Sequence, residues 1–154
     1  MSKKAKNPYP SKWVKSMKNK KSPLENAFHF LSFRSRSEKE MRDFLKKKEV
    51  LEIDETVNKL KELDFIDDKK FVREFVDSRS KNKPKGKKAL IIELARKGIK
   101  VDDLDINEDE LAKEALEKKK NIKDKISAQR FLYSRGFSWN VIERTLKNWY
   151  NSDA

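Results

Sequence analysis

Hydrophobic positions are sparse over the first twenty-two residues, then recur from Ser22 onward at the three- and four-residue spacing of amphipathic helices. Ser22-Pro23-Leu24-Glu25 combines an N-cap serine, a proline at the first helical position and a glutamate placed to close a capping box. Leu24, Ala27, Phe28 and Leu31 follow on one face. A second capping box, Ser37-Glu38-Lys39-Glu40, precedes Met41, Phe44 and Leu45, and a third face carries Val57, Leu60 and Leu63. Asp67 and Asp68 suit a helix N-terminus ahead of Phe71, Val72, Phe75 and Val76. A basic loop from Ser80 to Gly86 separates that helix from one carrying Leu90, Ile91, Leu94 and Ala95, which should stop at a left-handed Gly98. Val101 to Ile106 is too short and acidic for a full helix and reads as a truncated one. Residues 107–120 turn Leu111, Ala112, Ala115 and Leu116 inward, a further helix runs to Arg135, and a last one after Ser138 shows Trp139, Ile142, Leu146 and Trp149. No alternating strand pattern competes, so the predicted fold is all-α.

Three of the helix endings repeat one another: Phe44-Leu45-Lys46-Lys47-Lys48-Glu49-Val50, Glu93-Leu94-Ala95-Arg96-Lys97-Gly98-Ile99 and Phe131-Leu132-Tyr133-Ser134-Arg135-Gly136-Phe137. Each places a core leucine (Leu45, Leu94, Leu132), a basic residue, a turn residue and an apolar residue that re-enters the core. Glu49 stands where the other two have Gly98 and Gly136.

Charge changes the picture from a generic helical protein to a polyanion binder. The 154 residues hold 39 Lys and Arg against 26 Asp and Glu, a formal net charge of +13. Residues 1–22 carry eight lysines and no acid, with Pro8 and Pro10, and read as a basic flexible tail that is either a DNA-contacting arm or a solubilising one. Between residues 81 and 100 eight basic residues face Glu93 alone, and between 102 and 117 eight acids face Lys113 alone. Each patch is open to two readings, a solvated helix face or a contact surface, with the basic one the better candidate. The nucleic-acid or filament-binding candidates are Lys12, Lys15, Lys18, Lys20 and Lys21 in the tail, and Lys81, Lys83, Lys85, Lys87, Lys88, Arg96, Lys97 and Lys100 in the body.

Catalytic chemistry finds little support. The absence of cysteine excludes thiolate metal sites and a cysteine nucleophile, and fits a reducing, cytoplasmic setting. His29, flanked by Phe28 and Phe30, is expected to be structural rather than a ligand or base. Asp67 and Asp68 are better explained by capping than as a catalytic pair. Lys85-Gly86-Lys87-Lys88 lacks the glycines and the hydroxyl residue of a phosphate loop. Phe28, Phe44, Phe71, Phe75, Phe131 and Trp139 are expected in the core, with Tyr9, Trp13, Tyr133 and Trp149 less constrained. No enzyme, cofactor, metal or membrane anchor is expected.

Ala27 through Leu45 closely resembles the opening repeat of the bacterial RecX regulatory family. The resemblance continues through Leu63-Asp64-Phe65-Ile66-Asp67-Asp68-Lys69-Lys70-Phe71, through Lys83-Pro84-Lys85-Gly86 with Lys97-Gly98-Ile99, and through Phe131-Leu132 with Arg135-Gly136-Phe137-Ser138. It implies an elongated array of three tandem three-helix repeats, with the third helix of the middle repeat shortened. The expected divisions are a tail to residue 22, repeats over 23–65, 66–106 and 107–150, and a C-terminal tail over 151–154. It also implies binding to the RecA recombinase filament on single-stranded DNA, restraining ATPase and strand exchange; separately, a monomer is expected, with double-stranded DNA as a further ligand. The alternative is a non-sequence-specific DNA-binding module without recombinase specificity.

Overall fold

The computed structural model describes residues 21–152, so the readings made on residues 1–20 lie outside the described residues. Eight helices follow in order among them: α1 Pro23–Leu31, α2 Glu38–Lys47, α3 Ile53–Glu62, α4 Asp68–Asn82, α5 Lys87–Arg96, α6 Glu108–Lys118, α7 Lys125–Ser134 and α8 Trp139–Ser152. The helix starts follow their caps. Both capping boxes form, at Ser22 with Glu25 and at Ser37 with Glu40, and the Asp67 carboxylate accepts from the Lys69 and Lys70 amides.

Three separate cores mark tandem repeats. The first gathers Ala27, Met41, Leu45, Val57, Leu60 and Ile66 from α1, α2, α3 and the turn that follows. The second holds Phe71, Leu90, Leu94, Ile99 and Leu104, and the third is built on Leu111, Ala112, Leu116, Leu132, Ile142 and Leu146. Leu45, Leu94 and Leu132, the repeated leucines, are each wholly buried. The third helix of the middle repeat is reduced to a segment over 99–106 with no helical turn, yet Ile99 and Leu104 still fill the core.

Several residues expected inside stand at the edge. Phe28 is 38% exposed, paired edge-on with Phe65 at 5.0 Å, and Trp139 is 54% exposed at the first position of α8. Leu63 and Ala95 are also exposed, because an apolar stripe wider than its partner leaves its margin uncovered. His29 is exposed too and meets Phe33 edge-on, so its surroundings are a helix surface rather than a core.

The three repeated endings are Schellman turns. Val50, Ile99 and Phe137 donate to the carbonyls of Leu45, Leu94 and Leu132, while Glu49, Gly98 and Gly136 donate to Lys46, Ala95 and Tyr133. The turn residues have φ of 57°, 79° and 83°. A Cβ on Gly136 would lie 2.4 Å from Ala89 Cβ at the start of α5, and one on Gly98 would lie 2.5 Å from Lys39 Cβ in α2. Two turns therefore press against the preceding repeat, where only glycine fits. Glu49 is exposed, with room for a side chain.

Candidate nucleic-acid interface

The repeats are joined at equivalent places, and the joints consume part of the basic charge. At the first joint the Ser37 hydroxyl donates to the Lys97 carbonyl at 2.7 Å, and at the second the Gly86 amide donates to the Arg135 carbonyl at 2.9 Å. The first amide of α2, on Glu38, donates to Asp68 Oδ1 at 2.9 Å, and the first amide of α5, on Lys87, donates to Glu108 Oε1 at 2.8 Å. Thus the first residue of each following repeat's opening helix caps a helix in the repeat before it. These acids sit at helix N-termini and complement the local positive end of the dipole.

Lys97 reaches across the first joint to Glu40 at 2.9 Å, where Arg34 also binds at 2.7 Å. Burial opposes ionisation of Glu40, but hydrogen bonds from Arg34, Lys97 and the Ser37 amide outweigh it and hold the carboxyl at about 2. Lys85 turns inward to Glu93, which Arg79 also meets at 3.0 Å. Glu93 titrates below the usual carboxylate range; burial opposes this, and the Lys85 and Arg79 cations prevail. Lys87 pairs with Asp103 at 3.1 Å and Lys81 with Asp77 at 3.0 Å.

Lys83, Lys88, Arg96 and Lys100 are exposed, and no ion pair among the described residues engages them. Lys21 is exposed at the start of the described chain, whereas Lys12, Lys15, Lys18 and Lys20 lie outside the described residues. The eight basic residues of 81–100 therefore divide between structural partners and solvent.

The structure adds a second basic stretch to the first. Lys118, Lys119, Lys120, Lys123 and Lys125 are all exposed in and around the loop joining α6 to α7. Lys118 Nζ donates to the Lys81 carbonyl at 2.6 Å, which brings this loop against the C-terminal end of α4 although the two residues are 37 positions apart. Beside it, Lys119 Nζ and the Arg135 guanidinium lie 5.5 and 5.2 Å from the centre of the half-buried Phe131 ring. The lysine run was visible in the sequence, but its meeting with residues 81–83 depends on tertiary packing. Such a surface can follow a phosphate backbone.

Among the described residues no group of three or more His, Cys, Asp or Glu is placed to hold a metal ion, and no helix is long and apolar enough to cross a membrane.

A family model described as RecX, first three-helix domain, matches residues 24–60, and one described as RecX, second three-helix domain, matches residues 67–105. The regulatory protein RecX of Bacillus velezensis is 37% identical over 146 residues, an alignment covering 82% of this chain and 55% of that protein. That of Bacillus pumilus is 32% identical over 148 residues, covering 85% and 56%. The chain spans about half the length of these curated relatives. The crystal structure of RecX from Lactobacillus salivarius has a similar fold, with a TM-score of 0.66 at 23% identity over 82% of this chain and 93% of that one. A second crystal structure, of a regulatory protein RecX, gives the same score and identity over 92% of this chain and 81% of that one. With two domain models matched in tandem and the helical array they describe present in the structure, the chain belongs to the RecX family.

Proposed function

We propose that this chain is a non-catalytic regulator that binds the RecA recombinase filament on single-stranded DNA and restrains its ATPase and strand-exchange activity. The observation that carries the DNA part is the basic surface joining Lys81 and Lys83 to the Lys118–Lys123 loop across the second repeat joint. Membership of the RecX family supports the filament as the partner. A helical array suits that task because successive repeats present one long surface to a long target. The proposed units are the three repeats over 23–65, 66–106 and 107–150, acting in a monomer. Double-stranded DNA is bound by the same phosphate contacts.

The test is DNA-dependent ATP hydrolysis by the recombinase of the same source, with the protein added at ratios comparable to filament protomers, and co-sedimentation with preformed filaments in parallel. Hydrolysis should fall and the protein should sediment with the filament. Unchanged hydrolysis together with no sedimentation would remove the regulatory reading. Binding to bare DNA alone would leave the non-sequence-specific DNA-binding module.

A further inference from the structure

Beside the first repeat joint lies an open cleft of about 390 Å³, between the turn after α1, which supplies Arg34 and Ser35, and α4, which supplies Glu74, Phe75, Ser78 and Arg79. Its floor follows from the sequence. Phe71, Phe75 and Arg79 recur every four residues and so share one stripe of α4. The buried Phe71 ring backs the half-buried Phe75 ring nearly parallel to it, with centres 6.1 Å apart, and the Arg79 guanidinium lies 5.0 Å from the Phe75 centre. The cations lining the cleft already have carboxylate partners: Arg34 and Lys97 bind Glu40, and Arg79 binds Glu93. Glu74, also in the lining, accepts from the Ser35 hydroxyl at 2.7 Å. The cleft therefore offers an aromatic and guanidinium surface edged by both donors and acceptors. A phosphate finds little here, because the cations are neutralised and Glu74 repels it. A nucleobase finds a face to stack on and mixed partners for its polar edge.

We propose that this cleft binds an unpaired base of single-stranded DNA, stacked against Phe75 and Arg79 with its edge toward Ser35 and Ser78. The position of the cleft supports this occupant. The stripe that carries Phe75 and Arg79 continues by four more residues to Lys83, the C-cap of α4, exposed beside the Lys118–Lys123 loop. From Phe75 to Lys83 the helix advances about 12 Å, a distance that a few nucleotides bridge. One strand can then keep its phosphates on the lysines of the second joint while a base enters the cleft of the first. The inference rests on the DNA-binding reading and adds a preference to it: duplex bases are stacked on one another and have no free face to give, whereas unpaired bases do.

The experiment uses the full chain and a thymine oligonucleotide carrying one photoreactive iodouracil. Irradiation followed by trypsin digestion should place the crosslink in Glu74–Arg79, the tryptic peptide that holds Phe75. Two variants complete the test. F75L removes the aromatic face and keeps an apolar side chain, and S78L fills the mouth of the cleft from an exposed position where the fold has nothing to lose. Each should weaken binding of the single strand by at least about fivefold. Neither should alter the slope of log-affinity against log-salt, since no phosphate contact is lost, and affinity for duplex should stay as in the parent. Crosslinks confined to other aromatic residues would overturn the proposal, as would unchanged single-strand affinity in S78L. An equal loss on single strand and duplex would also overturn it, because the site would then not distinguish an unpaired base. If the parent binds no single-stranded DNA, the DNA-binding reading itself falls; if the parent binds and both variants match it, this site alone is refuted.

Discussion

Glu40 closes the α2 capping box and, through Lys97, ties the first repeat to the second. Its carboxyl sits at about 2 against an ordinary 4.5, so its ionised form is favoured by the folded state. A depressed carboxyl pKa contributes stability that is complete above about pH 4.5 and drains away as pH falls toward 2. Part of the effect is screened, since Arg34 is substantially exposed, and ~2 kcal/mol is the scale to expect. Glu40→Gln should therefore cost ~2 kcal/mol at pH 7 in denaturant titrations. The gap between variant and parent should narrow steadily below pH 4.5. A gap of constant size down to pH 2.5 would assign the loss to shape rather than to charge.

At the scale of elements, the Schellman turns show why one local motif tolerates different residues. Gly136 faces Ala89 backbone and Cβ atoms, so Gly136→Ala meets both a steric block and an unfavourable left-handed conformation. It should destabilise by more than ~2 kcal/mol. Glu49 has the same left-handed backbone with φ of 57° but an exposed side chain, and Glu49→Gly should stabilise by ~0.5–1 kcal/mol through relief of that conformation. Paired thermal and denaturant unfolding would read both signs. If Glu49→Gly destabilised the protein, the turn's side chain would have a packing role that its exposure does not suggest.

These turns were legible in the sequence because their bonds close within six residues, and the capping boxes for the same reason. The joints were not. Ser37 meets Lys97, Glu38 meets Asp68 and Lys87 meets Glu108, pairs separated by 60, 30 and 21 residues that no local pattern links. Asp68 stands in the first turn of its own helix as expected, and its carboxylate also accepts from the first amide of α2, which no local pattern announces. The basic patch suffered likewise: composition marked residues 81–100, but only packing decides that Lys85 and Lys97 turn to Glu93 and Glu40 while Lys83 faces solvent. Phe28 and Trp139 were misplaced because periodicity names a face and not which edge of it a neighbour covers.

For the whole molecule, that division of lysines makes a quantitative claim about nucleic-acid binding. A lysine that neutralises a phosphate releases condensed counterions, and each such contact on single-stranded DNA adds about 0.7 to the magnitude of the log-affinity against log-salt slope. Lys83, Lys119, Lys120 and Lys123 are exposed around the second joint, with no ion pair among the described residues. Replacing all four by glutamine should lower the slope by about 3 and leave folding stability nearly unchanged. Lys85 and Lys97 already have carboxylate partners within the protein, so K85Q/K97Q should cost stability and change the slope by well under one unit. Deleting residues 1–21 tests the tail separately, and a lower slope in the deletion variant would assign phosphate contacts to its lysines. Titrations of fluorescent single-stranded DNA from about 50 to 300 mM salt would resolve the three variants. Equal loss of slope per lysine in the exposed and the joint-bound sets would mean that net charge alone drives binding, and the surface at the second joint would lose its claim as the interface.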